Sequence, residues 1–193
     1  MSVAALVERR VSETRVGDFL RSSDVPGSRN AVDTAFSRNA AGRPDLVRVS
    51  RGLYWRGSQT RFGVTRPEPL DAAVATAGDG AGPAGWSALA ALGLTTQVPA
   101  RPHVAVPGRQ PAVRDAKVTR RSNVRRFELT PVEVAVLEAL RPEWSARADG
   151  DVITRIHQLA DERQIRPGRV RAAARGEQGP VREAVERALG SLG

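Results

Sequence analysis

Asp149 and Asp151 stand at Asp-x-Asp spacing, the arrangement by which two aspartates hold a pair of metal ions for nucleotidyl transfer. That chemistry also needs a Gly-Ser loop a short way upstream, and Gly27-Ser28 lies more than 120 residues away. Asp149-Gly150-Asp151 therefore reads as a turn followed by a helix cap. Lys117 is the only lysine and follows no Walker glycine pattern, so no phosphate-cradling loop is expected there. The glycine-rich residues 78–85 fail the dinucleotide fingerprint because Pro83 stands in place of its third glycine, and they read as a loop. No serine sits in a nucleophile elbow, cysteine is absent, and His103 and His157 are the only histidines. A catalytic triad, a thiolate and a His-rich metal site are thereby excluded. The expectation is a protein with no catalytic residues, no cofactor and no metal.

Charge is the stronger signal. The chain carries 30 basic against 21 acidic residues, a formal +9, and every cation except Lys117 is arginine. The planar guanidinium suits bidentate contact with phosphate or guanine, and an excess of this size favours a polyanion or an acidic protein surface as partner. The excess is concentrated: residues 1–70 are net +5 and residues 101–127 net +7, whereas residues 71–100 are net −2 and the remainder net −1. Aromatic residues make up 4%, too few for the stacking platforms of a single-stranded RNA reader.

The elements that must position these arginines are legible in the periodicity. Val3, Leu6, Val7 and Val11 recur at helical spacing, and Val16, Phe19 and Leu20 do so again, predicting two amphipathic helices. Turn-forming residues 22–27 follow, and Ser28 is placed to cap a third helix over residues 29–41. Val32, Ala35 and Phe36 form its inward stripe, which leaves Asn30, Thr34, Ser37 and Ala41 outward with Arg38 on the flank. Such a face is small and polar enough for a DNA major groove, where Asn pairs with adenine and a Thr methyl touches thymine. Alternation then begins at Val47 and Val49, breaks at Arg51-Gly52 and resumes at Leu53-Tyr54-Trp55, a β-hairpin with a basic tip. Three helices and a hairpin describe a winged helix-turn-helix. On this reading Arg29, Asn30, Thr34, Ser37 and Arg38 face the bases and adjoining backbone, while Arg43, Arg48, Arg51 and Arg56 hold phosphates.

Arg66-Pro67-Glu68-Pro69 reads as a stiff linker, since each proline pushes its predecessor out of helix. The expected domains are thus residues 1–65 and 66–193. The second is a mixed α/β domain with a helical C-terminus, which makes the whole chain α+β. It begins with short helices over residues 70–77 and 86–92, then extended segments over residues 103–106 and 116–129. In the latter, Lys117, Arg120, Arg121, Arg125 and Arg126 interleave with apolar residues and would form an outward basic strip for a partner. Thr130-Pro131-Val132-Glu133 is a capping box that starts a helix through Leu140. Asp151 caps a helix through Gln164, and Gly179-Pro180 opens a last one with Val181, Val185, Ala188 and Leu189 inward.

The wing residues Arg51-Gly52-Leu53-Tyr54, followed by Ala88-Leu89-Ala90-Ala91-Leu92-Gly93-Leu94-Thr95-Thr96-Gln97-Val98-Pro99, resemble the AbiEi family of bacterial antitoxins. In that family an Arg-Gly-Leu-Tyr wing precedes Ala-Leu-x-x-Leu-Gly-Leu-(Ser/Thr)-Thr-Gln-Val-Pro. The second motif is the specific one, and the resemblance runs over residues 14–140; just before it, Gly85-Trp86-Ser87 replaces the usual Ser-Gly pair. It implies a winged-helix autorepressor of its own operon, bound to inverted-repeat operator DNA. It further implies a second domain that neutralises a co-encoded AbiEii-type nucleotidyltransferase toxin, with or without a stable complex. A stand-alone transcriptional regulator whose second domain dimerises or senses a ligand is the alternative.

At 193 residues, 40% hydrophobic and 26% charged, the chain has the composition of a folded protein with one sizeable core or two small ones. Residues 84–94 form the longest weakly apolar stretch, well short of the roughly 18 to 20 residues of a membrane span. The first ten residues place apolar side chains before arginines, the reverse of a secretory signal. A cytoplasmic protein without membrane contact is expected.

Overall fold

The computed structural model describes residues 2–109 and 112–190. The chain forms two compact units, Met1–Ala72 and Ala73–Gly193, and is mixed α+β with a helical C-terminal region. No helix among the described residues is long and apolar enough to cross a membrane.

The N-terminal unit opens with α1 (Val3–Glu13), whose first turn is closed by the Ala5 N–H donating to the Ser2 hydroxyl at 3.2 Å. It buries Val7 and Val11. The helix expected from Val16, Phe19 and Leu20 is instead a loop and a strand, β1 (Phe19–Arg21). Gly17 at φ +92° cannot continue a helix, and Phe19 and Leu20 pair with Trp55 and Tyr54 of a later strand. A 3₁₀ turn (Ser22–Asp24) leads to α2 (Arg29–Gly42), and then to β2 (Leu46–Ser50) and β3 (Leu53–Arg56). The antiparallel sheet has the order β1-β3-β2. A second small hairpin follows, β4 (Gln59–Thr60) and β5 (Gly63–Val64). One core joins α1, β1, α2, β2 and β3: Val7, Val11, Leu20, Val25, Val32, Ala35, Phe36, Leu46 and Tyr54. At its centre the Phe36 and Tyr54 rings stack with centroids 4.9 Å apart.

A helix, α3 (Pro69–Ala77), starts at the last linker proline and spans the boundary between the units. The glycine-rich segment beyond it is not all loop, because β6 (Gly82–Pro83) pairs antiparallel with β7. A Cβ on Gly82 would sit 2.5 Å from Val134 Cβ, so only glycine admits this approach. Next come α4 (Trp86–Ala91), β7 (His103–Pro107) and β8 (Lys117–Arg121), the last two parallel. The strand expected over residues 116–129 stops at Arg121, and Val124–Glu128 form a 3₁₀ turn begun by the Asn123 side chain, which accepts from the Arg125 N–H. The remaining chain is helical: α5 (Pro131–Ala139), α6 (Pro142–Ser145), α7 (Val152–Asp161), α8 (Pro167–Ala174) and α9 (Gly179–Leu189). Both sides of the expected capping box are made at Thr130 and Glu133, and Asp151 caps α7 by accepting from the Ile153 N–H at 2.9 Å. The α7 helix ends three residues earlier than expected, and α8 was not foreseen. From Glu133 to Leu140 every residue is buried, which marks α5 as the central helix of this unit.

The Leu-Gly-Leu of the family-like motif terminates α4. Gly93, at φ +70°, donates to the Ala90 carbonyl, and the Leu94 N–H donates to the Leu89 carbonyl at 2.8 Å. This is a Schellman turn. Its flanking Leu92 and Leu94 are buried.

His103 gives this unit a pH dependence. Its Nε2 lies 2.7 Å from Thr119 Oγ1, and burial, followed by the nearby Lys117 charge, pushes its pKa from 6.5 down to about 4. The unfolded state then binds the extra proton, so stability is full above pH 6.5 and falls as pH drops toward 4. With partial exposure discounted, unfolding free energies from urea titrations at pH 7 and pH 5 should differ by about 1 kcal/mol more in the wild type than in His103→Gln. Equal losses in the two proteins would refute the assignment.

Candidate nucleic-acid interface

In the N-terminal unit, α2 is held by Val32, Ala35 and Phe36, the stripe read from the sequence. Rotation by about 100° per residue then leaves the other side of α2 to solvent, and Arg29, Asn30, Thr34, Ser37, Arg38 and Ala41 are all exposed. A shallow groove between this face and Ala4 of α1 is lined by Asn30, Ala31, Thr34, Arg38 and Asn39. Ser37 Oγ is 3.5 Å from the Tyr54 hydroxyl, a weak tie at the edge of the core. Ser28 precedes α2 but makes no side-chain cap bond, and the first turn holds no acidic residue. The positive end of the helix is therefore left to an outside acceptor, next to Arg29.

The β2–β3 turn is tight and docked. Gly52 adopts φ +71°, its carbonyl accepts from the Ser22 N–H at 2.9 Å, and a Cβ there would stand 2.7 Å from Ser22 Oγ. Arg48 and Arg51 are exposed on this ribbon. Among the described residues, none of Arg29, Arg38, Arg48 and Arg51 forms a salt bridge.

Arg43 and Arg56 are placed otherwise. Arg43 pairs with Asp45 at 3.3 Å and Glu8 at 3.2 Å, and hydrogen bonding to Asp45 raises its pKa above the ordinary arginine value. Arg56 Nη1 donates to the carbonyls of Val11 and Ser12, each at 2.9 Å, and to that of Thr14. It thus caps the C-terminus of α1 and satisfies carbonyls that the helix leaves open.

In the C-terminal unit the expected basic strip divides in two. Lys117, Arg120 and Arg125 are exposed. Arg126 is fully buried and Arg121 leans inward, which corrects their expected place on an outward strip. Arg126 donates to Glu177 at 2.6 Å and to Glu138 at 2.7 Å. Arg121 meets Glu138 at 2.5 Å, and Arg141 bonds Glu177 at 2.9 Å. Burial alone would raise the Glu138 pKa, but the hydrogen bond from Arg121 and the Arg126 charge outweigh it and hold it at about 2. This five-membered cluster stitches β8, the 3₁₀ turn, α5 and the α8–α9 loop together. Sequence reading missed it because its carboxylates lie far from Arg126 along the chain.

Among the described residues no group of three or more His, Asp or Glu side chains is placed to hold a metal ion. Asp149-Gly150-Asp151 supplies a turn and the α7 cap.

No family model and no curated protein matches the chain. Among solved structures, it is similar to the RV2827C protein from Mycobacterium tuberculosis, with 15% sequence identity and a TM-score of 0.41 over 98% of this chain and 76% of that one.

Proposed function

We propose that the N-terminal unit is a winged helix-turn-helix that binds duplex DNA through α2, with β1 and the 3₁₀ turn at Ser22–Asp24 lying between α1 and α2 in place of the helix expected from Val16, Phe19 and Leu20. The observation that carries this reading is the exposed polar face of Asn30, Thr34, Ser37 and Arg38 in the same unit as the unpaired Arg48 and Arg51. The order β1-β3-β2 supports it, because it backs α2 with a sheet and leaves its far side open. In this arrangement α2 enters the major groove, while Arg29, Arg48 and Arg51 hold the flanking phosphates. Arg43 and Arg56 keep the unit folded and leave the contact set.

Together with the resemblance to AbiEi antitoxins, this makes the chain an autorepressor of its own operon. Its C-terminal unit would counter a co-encoded AbiEii-type nucleotidyltransferase toxin, with Lys117, Arg120 and Arg125 as the cations available to that partner. The chain itself carries out no catalysis and requires no cofactor on this reading, and it acts in the cytoplasm.

Binding to the upstream operator over a salt titration tests the DNA reading. Arg48→Ala and Arg51→Ala should weaken binding on all sequences alike and flatten the salt slope by about 0.9 for each lost phosphate contact. Asn30→Ala and Thr34→Ala should shift base preference, at about 1–3 kcal/mol per lost contact. Wild-type behaviour in all four variants would end the assignment. Growth rescue on co-expression with an adjacent nucleotidyltransferase gene tests the antitoxin role, and absence of rescue would leave the stand-alone regulator.

A further inference from the structure

The hairpin of β4 and β5 carries a side chain that the fold does not use. Phe62 at its tip is 85% exposed, and the Arg61 guanidinium lies over its ring, 4.6 Å from the centroid. The hairpin that holds them is built with some care. The Thr60 hydroxyl donates to the Gly63 carbonyl at 2.6 Å and accepts from the Phe62 N–H at 3.2 Å. Across its base, the Thr65 N–H donates to the Ser58 carbonyl at 3.0 Å, and the Ser58 N–H to the Thr65 hydroxyl at 2.9 Å. Gly57 ties this base to the start of β2 by donating to the Asp45 carbonyl at 2.8 Å. The hairpin is thus rooted near the C-terminal end of α2, which stops at Gly42.

Turn positions favour Gly, Asn, Asp and Pro, so an aromatic ring here brings the turn no local advantage. Among the described residues of this unit, the only other exposed large apolar one is Val16. A lone ring is too small a patch for a stable protein interface, which buries about 800 Å² on each side. It has the size of a wedge for one base step. The charge of the unit, 12 arginines against 8 acidic residues in positions 1–72, selects a polyanion as the surface it meets.

We infer that Arg61-Phe62 is a minor-groove wedge: Phe62 enters one base step of the duplex held by α2, and Arg61 follows it to the backbone. The inference rests on the DNA reading above. The groove next to the one filled by α2 is within reach of a hairpin rooted at the end of that helix, and a pyrimidine–purine step, the easiest to unstack, is the favoured target.

The probe is a duplex from directly upstream of the chain's own coding sequence, labelled at its two ends for energy transfer and mixed with the full-length protein. Wild type should bend it, by about 20–90° for a single wedge. Phe62→Ser, on an exposed tip where folding is not at risk, should lose the bend and weaken binding on the order of 10-fold, the value of one stacked base. Phe62→Trp should keep both. Equal bending by wild type and Phe62→Ser, or binding by wild type without bending, overturns the wedge and leaves the DNA reading standing. A fall in sedimenting mass on Phe62→Ser with the bend unchanged also overturns it, in favour of a contact between copies. No binding by wild type overturns both.

Discussion

Glu138→Ala is expected to destabilise the C-terminal unit by about 3–5 kcal/mol, because it leaves buried cations without their counter-charge. Arg126 and Glu138 are fully buried, and Arg141 is 5% exposed. With Glu138 removed, Arg126 and Arg141 would share Glu177, and Arg121 would lose its partner in the cluster. A typical domain has a total stability of about 5–15 kcal/mol, so the variant should approach the unfolding threshold at room temperature. Trp86 and Trp144, whose rings meet edge to face at 5.8 Å, report on this unit once Trp55 is replaced by Phe. Their emission should shift at a much lower urea concentration than in the parent. The companion test is a joint replacement, Glu138→Leu with Arg126→Met. Removing both charges should recover much of the loss, since apolar groups of similar volume often match a buried pair. A loss below 1 kcal/mol in Glu138→Ala would mean that water reaches the cluster. Acid should act in the same direction: the Glu138 pKa is held at about 2 against 4.5 unfolded, so its contribution is complete above pH 4.5 and lost as pH falls toward 2. Stability should therefore fall with acid over two successive pH ranges, from 6.5 toward 4 through His103 and from 4.5 toward 2 through Glu138.

The contrast between Arg126 and α2 shows what the chain makes legible. The inward stripe of α2 repeats at three and four residues, so Val32, Ala35 and Phe36 declare their side without any knowledge of the partner. The exposed set follows by subtraction. The capping box at Thr130 and the cap at Asp151 are equally local, each a hydrogen bond within three residues. Arg126 is different: its partners Glu138 and Glu177 lie 12 and 51 residues away, and nothing local separates a buried arginine from its exposed neighbour Arg125. Arg56 was hidden for the same reason, since the carbonyls it caps belong to α1, more than 40 residues earlier. Strand β1 failed for another cause. Three residues are too few to show a period of two, and Val16, Phe19 and Leu20 happen to match a period of 3.6, so pairing with β3 overrides local pattern. The hairpin at Arg61-Phe62 lacked any signal, because its strands are two residues each.

Phe36→Ala should remove most of the stability of the N-terminal unit. Removing a fully buried phenyl costs about 3–5 kcal/mol through lost transfer energy and the cavity that remains. Here that ring is stacked on Tyr54 and shares a core of nine buried residues. So small a core rarely supplies more than about 3–5 kcal/mol of net stability, so the substitution consumes nearly all of it. Trp55 lies on β3 next to Tyr54 and edge to face with Phe19 at 4.8 Å. With Trp86 and Trp144 replaced by Phe, its emission should be that of a solvated indole in the Phe36→Ala variant at 25 °C. Tyr54→Phe is the informative control, because among the described residues the hydroxyl it deletes has only the 3.5 Å contact with Ser37. That change should leave the emission unaltered. The DNA reading adds a second readout that separates folding from recognition. Phe36→Ala should abolish binding to every duplex at every salt concentration, whereas Asn30→Ala should re-rank sequences and keep the salt slope. Retained binding by a chain whose Trp55 is fully solvated would show that α2 does not need its sheet to meet the duplex, and the winged-helix reading would fall with it.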